Sequence, residues 1–340
     1  MHIFVDESGT FSSVASGSSV SAVGSLVIPS QKLNGFEKLY GRVRRNLPRY
    51  KGEVKGRLLD ETQVGEVVNV LDRLGCLFEV VASDSTFHTE EEILRHKAGQ
   101  EEGLTINLTD EHPTSLTEQV WQLRRQLERT PPQLYLQACA MSELVYTTLN
   151  NANLYYSFRL PRELGSYHWT IDAKNDGEPT PWEKWWATLV RPMIEMKSLK
   201  EPFVAVEGAD YRWHEHLKTQ PSAYKKRFIE KPDESDWFSL NPLLEDIRFS
   251  SSSEYGLEAI DILVNAVRRS LAGNFSREGW LPVSRLMIHR PQHYIRLISL
   301  SSEESSPSKV PYSGVLSDFR RGGRSMLPNW MYHREKEKGE

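Results

Sequence analysis

The stretch IFVDESGTF, residues 3–11, decides how the chain is read. Ile3, Phe4 and Val5 form a short apolar run that passes directly into Asp6, Glu7, Ser8 and Gly9. Such a run predicts a buried strand starting at the third residue. Successive side chains on a strand point to opposite faces, so Asp6 and Glu7 cannot enter one pocket together unless the strand has already ended. Two readings follow. Asp-Glu-Ser-Gly is an ordinary turn, or an acid is presented at the carboxyl end of a buried strand, where α/β sheets commonly place chemistry.

Working outward, SAVGSLVI (21–28) predicts a second strand pairing back onto the first, with Gly24 marking a bulge. A helix is expected over 34–47, and a second one, capped by Asp60, ends at Gly75. CLFEVVAS (76–83) reads as a buried strand. Residues 85–130 are more polar and predict a helical insertion, with helices over 89–102 and 115–129. Pro131 and Pro132 open a long apolar helix to Asn150. SYHWTIDA (166–173) alternates like a strand, and WEKWWATLVRPMIEM is helical until Pro192 interrupts or kinks it. Residues 200–243 form an irregular insertion. EDIRFSSSSEY predicts a short strand and a serine loop, and GLEAIDILVNAVRRSLAGN a helix stopped at Gly273. A hairpin over 283–300 and a partly disordered tail complete a C-terminal segment, 276–340. Strands followed by alternating helices and strands predict an α/β domain over 1–275, a mixed sheet flanked by helices.

The 340 residues are enough for one elaborated domain or two ordinary ones. Charged residues make up 26% and the net charge is −4, so only a local basic patch could bring a nucleic acid. Cys76 and Cys139 sit in apolar runs and predict buried free thiols, not a disulfide or zinc site. No secretory signal or membrane-spanning run is seen, and a cytoplasmic location is expected.

Four groups of acids carry possible chemistry. Asp6 and Glu7 close the first strand. In the late helix, Glu258, Asp261, Asn265 and Arg268 fall three or four apart on one face, bringing two carboxylates together. Between residues 42 and 57, seven Lys or Arg surround a single acid, Glu53. Arg45, Lys51, Lys55 and Arg57 of this run are candidate phosphate contacts, and Tyr40 and Tyr50 could stack on bases. Asp172 and Asp84 each end a predicted strand, and either strand could lie beside the first; Asp176 reads as a turn residue. Against these stand plainer readings: a turn, a solvated helix face and salt-bridged surface residues.

Taken together, Asp6-Glu7-Ser8-Gly9, Glu53-Val54-Lys55, a strand ending in Asp, and Leu257-Glu258-Ala259-Ile260-Asp261 resemble the family catalogued as domain of unknown function 3800. The resemblance covers about residues 1–275 and implies a ribonuclease-H-like fold. Glu258 stands where the family has Gln, which adds a possible metal ligand. By position, the resemblance implies that Asp6, Glu53, Asp172 and Asp261 form a catalytic metal cluster, with Glu7 and Glu258 as further ligands. Mg²⁺ or Mn²⁺ would be the cofactor, and hydrolysis of a nucleic-acid phosphodiester the reaction. Lys55 would contact a phosphate or pair with Glu53, and Arg268 would join the substrate contacts.

No nucleophile elbow, Walker loop or Cys-His pairing offers a competing chemistry. His214 and His216 in WHEH are two apart and read as a surface or substrate-contact loop; the WEKWW aromatics read as core; Arg320, Arg321 and Arg324 beside Trp330 read as a binding arm or a solvated tail. The alternative function is a non-catalytic nucleic-acid- or protein-binding component of a defence or toxin-like system. A protein partner or homo-oligomer is compatible with either, and no membrane is expected.

Overall fold

The strand predicted from residues 3–5 is β1 (His2–Ser8), one of the two central strands of a six-stranded mixed sheet. The structure is a computed structural model and describes residues 1–11, 19–173, 183, 186–220, 237–300 and 310–331. The N-terminal half contains β2 (Val20–Ile28), α1 (Leu33–Arg44), a small hairpin of β3 (Arg49–Tyr50) and β4 (Glu53–Val54), α2 (Glu61–Arg73) and β5 (Leu77–Asp84). Next come α3 (Glu90–Thr105), α4 (Thr114–Arg129), α5 (Pro132–Arg159) and β6 (His168–Asp172). Then follow α6 (Arg191–Lys200), the short pair β7 (Lys218–Thr219) and β8 (Trp237–Phe238), and β9 (Ile247–Ser250). The chain continues through α7 (Tyr255–Leu271), α8 (Arg277–Trp280), β10 (Ile295–Leu297) and α9 (Ser313–Phe319).

The sheet order is β10-β5-β2-β1-β6-β9. β2 runs antiparallel to both neighbours, and every other pairing is parallel. Five strands therefore end on one edge, the edge where Asp6 and Asp172 lie.

Helices cover both faces, and strand alternation assigns each side chain to one of them. Ile3, Val5, Trp169 and Ile171 face the core built on α5, whereas Phe4, Leu26 and Phe78 face the core built on α1, α2 and α7. Trp169 and Ile171 are each 1% exposed, and such full burial is worth about 1.5–3 kcal/mol for an aliphatic or aromatic side chain. Asp60 caps α2 as predicted, in a reciprocal capping box with Gln63.

Several expectations change. Gly24 marks no bulge, since the β1–β2 and β2–β5 registers run unbroken through it. It is instead a site of close approach: a Cβ there would lie 2.3 Å from Val264 Cγ2. Helix α5 runs on past Asn150 to Arg159, because the polar residues in its second half are buried with partners. Asn151 donates to Glu79 at 2.8 Å, and Asn153 accepts from the Tyr167 hydroxyl at 2.6 Å. Pro192 sits in the first turn of α6, directly after a π-helical turn over Trp186–Val190, so the helix changes type there and runs on to Lys200.

The hairpin expected over 283–300 is absent. Its strand, β10, joins the main sheet in parallel with β5, and the C-terminal segment packs into the α7-side core through Val283, Tyr294, Leu316 and Phe319. Arg324 is docked, pairing with Asp72 at 2.7 Å. Cys76 and Cys139 are free thiols. No helix among the described residues is long and apolar enough to cross a membrane.

Candidate functional site

Asp6 and Asp172 occupy neighbouring positions at the carboxyl ends of adjacent parallel strands, one step beyond the pairing of Val5 with Ile171. Both share parity with Phe4 and so project toward α7. The path of α7 over the sheet is set by three contacts. A Cβ on Gly256 would lie 2.3 Å from the Phe4 ring, Val264 sits on Gly24, and Arg268 Nε donates to Ser8 Oγ at 2.7 Å. Since Gly24 is the register partner of Asp6, these contacts lay α7 over the part of β1 that carries Asp6; Asp261 is in the second turn of that helix.

Asp261 is held from the side by the loop after β4. Its Oδ2 accepts the Gly56 N–H at 2.7 Å, and its Oδ1 accepts from Asn265 Nδ2 at 3.1 Å. Gly56 is there for lack of a side chain: a Cβ would stand 2.7 Å from both the Asp261 carbonyl oxygen and Ile262 Cα. The same loop delivers Lys55, whose Nζ lies 2.7 Å from Glu53 Oε2.

These groups share one electrostatic field. Burial pushes the Asp172 carboxyl up to about 6; the Lys55 ammonium opposes the shift, and the Asp261 and Glu53 carboxylates add to it. Burial also raises Asp261, against the Gly56 N–H, Lys55, Asn265 and Arg57. For Lys55, burial works downward, but Glu53, Asp261 and Asp172 outweigh it and raise the amine. Lys55 is thus paired directly with Glu53 and feels the fields of Asp261 and Asp172.

The remaining predicted residues are placed elsewhere or act differently. Glu7 projects to the opposite face of the sheet, where Gln137 of α5 donates to it. This takes Glu7 out of the cluster, as strand alternation requires. Glu258 is buried and fully engaged: it accepts from Arg44 Nε and Nη2, both at 2.6 Å, from the Val54 N–H at 3.1 Å, and from the Tyr40 and Ser253 hydroxyls. Burial would raise its pKa, but these donors outweigh that and hold it low. Glu258 fastens α1 and the β3–β4 hairpin to α7, and it has no oxygen to spare for a metal.

Asp84 lies two strands from β1, accepts from Thr86 and from the Tyr312 hydroxyl, and caps a turn. It is therefore Asp172, not Asp84, that adjoins Asp6. Asp176 lies outside the described residues.

Arg57 and Lys51 both stand over the ring of Tyr50, at 5.5 and 5.6 Å. Arg45 lines a cavity on α1, described below. His214 meets the Tyr167 hydroxyl at 3.2 Å and is pushed down to about 4 by burial and by His216, while His216 contacts its own turn. Neither histidine approaches the acids. Trp186 is core as expected; Trp182 and Trp185 lie outside the described residues.

The donor chemistry at the strand ends suits a hard divalent cation, being carboxylate oxygen throughout. As the side chains stand, no three His, Cys, Asp or Glu among the described residues are arranged to hold one. Glu53 is paired with Lys55, and Asp261 accepts from Gly56 and Asn265. Two members of this arrangement escaped the sequence reading. Gly56 carried a faint signal, a glycine between two cations, and Arg44 as the partner of Glu258 carried none.

No protein-family model, no curated protein and no solved structure matches this chain.

Proposed function

We propose that the chain is a divalent-metal-dependent nuclease with a ribonuclease-H-like fold. Asp6, Asp172 and Asp261 would hold Mg²⁺ or Mn²⁺, joined by Glu53 once it parts from Lys55. The carrying observation is that one loop joins three acids to the strand ends: Lys55 pairs with Glu53 at 2.7 Å, the next residue, Gly56, donates to Asp261 at 2.7 Å, and Asp172, beside Asp6 on the sheet, lies in the field of all three groups. Carboxylates crowded in this way resist ionising together and favour a cation between them. The sheet adds support: numbered in order of appearance, its first five strands lie 3-2-1-4-5 with the second reversed, the order expected of a ribonuclease-H-like sheet. The resemblance to the domain of unknown function 3800 points the same way.

When bound, such a cation would activate a water and stabilise the departing oxygen of a phosphodiester. The chain's own residues do the rest. Asp6 and Asp172 are fixed by the parallel β1–β6 ladder, Asp261 is oriented by the Gly56 N–H, and Glu258 holds the hairpin in place. Lys55, freed from Glu53, is positioned to meet a substrate phosphate.

The experiment is a thermal shift with Mn²⁺ or Mg²⁺ alongside cleavage of a panel of RNA and DNA. Metal-dependent stabilisation and cleavage, both lost in Asp6→Asn and Asp261→Asn, are expected. Cleavage that survives both substitutions overturns the assignment. A second reading is favoured by the 2.7 Å Lys55–Glu53 pair: a phosphate-binding protein without hydrolysis, in which Lys55 is the permanent cation. That reading predicts nucleic-acid binding indifferent to EDTA, with no metal shift and no cleavage.

A further inference from the structure

Along α1, reaching to the β3–β4 hairpin and the start of α7, lies a cavity of 410 Å³ lined by Lys38, Arg42, Arg44, Arg45, Arg49 and Tyr255. Glu37 is the one acid on its wall. Arg44 is neutralised by Glu258, but Lys38, Arg42, Arg45 and Arg49 have no carboxylate partner among the described residues. Favourable placement of cations in the last turn of a helix explains Arg42 in part. It does not explain Arg49, which reaches the same cavity from the hairpin.

The arrangement has a direction. Lys38, Arg42 and Arg45 follow one another at i, i+4 and i+7 along one face of α1, a row of about 10 Å at 1.5 Å per residue. That is longer than one phosphate can engage. Tyr255, at the start of α7, lines the cavity, and Asp261 lies six residues further along that helix, about 9 Å along its axis. On the hairpin, Tyr50 is 50% exposed, with Arg57 over its ring.

The geometry points to a track for a single nucleic-acid strand, running along α1 over the basic cavity toward Asp261, with Arg42, Arg45 and Arg49 taking successive phosphates. The inference rests on the phosphodiester substrate proposed above and names where that substrate lies. A single strand fits better than a mononucleotide, because the cations form a row and not a ring. Exposed guanidinium groups without partners bind phosphate without first breaking an ion pair.

The test is binding of a fluorescent single-stranded oligonucleotide in EDTA, over a range of salt. EDTA removes any dependence on metal, so this reads the track separately from hydrolysis. The variant is Arg42→Glu with Arg45→Glu; both side chains are exposed, and circular dichroism checks that it folds. The control, Arg125→Glu with Arg129→Glu, makes the same charge change on α4, which packs with the helices of the opposite face.

Binding should weaken at least about tenfold in the α1 variant, and the slope of log K against log salt should flatten by about 1–2, since each lost phosphate contact to a single strand removes about 0.7. The control should stay within about twofold of the parent. Equal binding by variant and parent overturns the track. So does an equal loss in the control, or competition by polyglutamate as effective as by an oligonucleotide of the same charge. If the track variant loses binding while Asp261→Asn leaves cleavage intact, the track stands and the proposed metal cluster falls.

Discussion

The Gly56 N–H donates to Asp261 Oδ2 at 2.7 Å, joining the loop after β4 to the second turn of α7. The bond does two things at once. It orients the Asp261 carboxylate, and it fixes to α7 the loop that carries Lys55 and Glu53.

Gly56→Ala tests that approach. The new Cβ would meet two backbone atoms at 2.7 Å, and backbone cannot rotate away as a side chain can. A loss of about 1–3 kcal/mol is expected from overpacking, read as a lower urea midpoint. Any metal-dependent thermal shift should shrink as well. An unchanged midpoint would mean that the loop is not pressed against α7.

Asp172→Asn tests the crowding of the acids. The folded carboxyl titrates near 6, against 3.8 for the free group, so its ionisation opposes folding above about pH 6. The penalty fades as pH falls through 6 toward 4, where the folded carboxyl is already protonated. Asparagine should therefore stabilise the protein by about 1–3 kcal/mol at pH 8, at about 1.4 kcal/mol per pH unit, and by much less at pH 4.5. Urea unfolding of both proteins at the two pH values decides it; an equal gain at both would discard the electrostatic account.

Lys55→Met asks whether the ammonium occupies the place of a cation. Lys55 holds the Asp172 pKa down, so its removal should drive that pKa above 6 and move any pH-dependent property of the cluster upward. With no ammonium to displace, the thermal shift with Mn²⁺ at pH 8 should be larger than in the parent. A smaller shift would show that Lys55 assembles the site and does not compete for it.

Glu258→Gln separates fastening from ligation. The substitution weakens the paired bonds with Arg44, whose side chain is only 16% exposed, and should cost about 2–4 kcal/mol. Differential scanning calorimetry should show the lower transition, while the increment produced by metal stays close to that of the parent. Loss of the increment without loss of stability would return Glu258 to the list of ligands.

The local elements were legible in the residues themselves. The apolar run at 3–5, the Asp60 cap, the polar helices α3 and α4 and the stripe of α7 are patterns of neighbours in sequence, and local sterics and burial decide them. Alternation along β1 already showed that Asp6 and Glu7 could not share a pocket. Which of the two enters the site depended on which face α7 covers, and only packing determines that. The choice of Asp172 over Asp84, the loss of Glu258 to Arg44 and the capture of β10 by β5 rest on partners 166, 214 and 215 residues away. Contacts of that range leave no periodic trace along the chain, because they are set by which surfaces exclude water together once the elements exist.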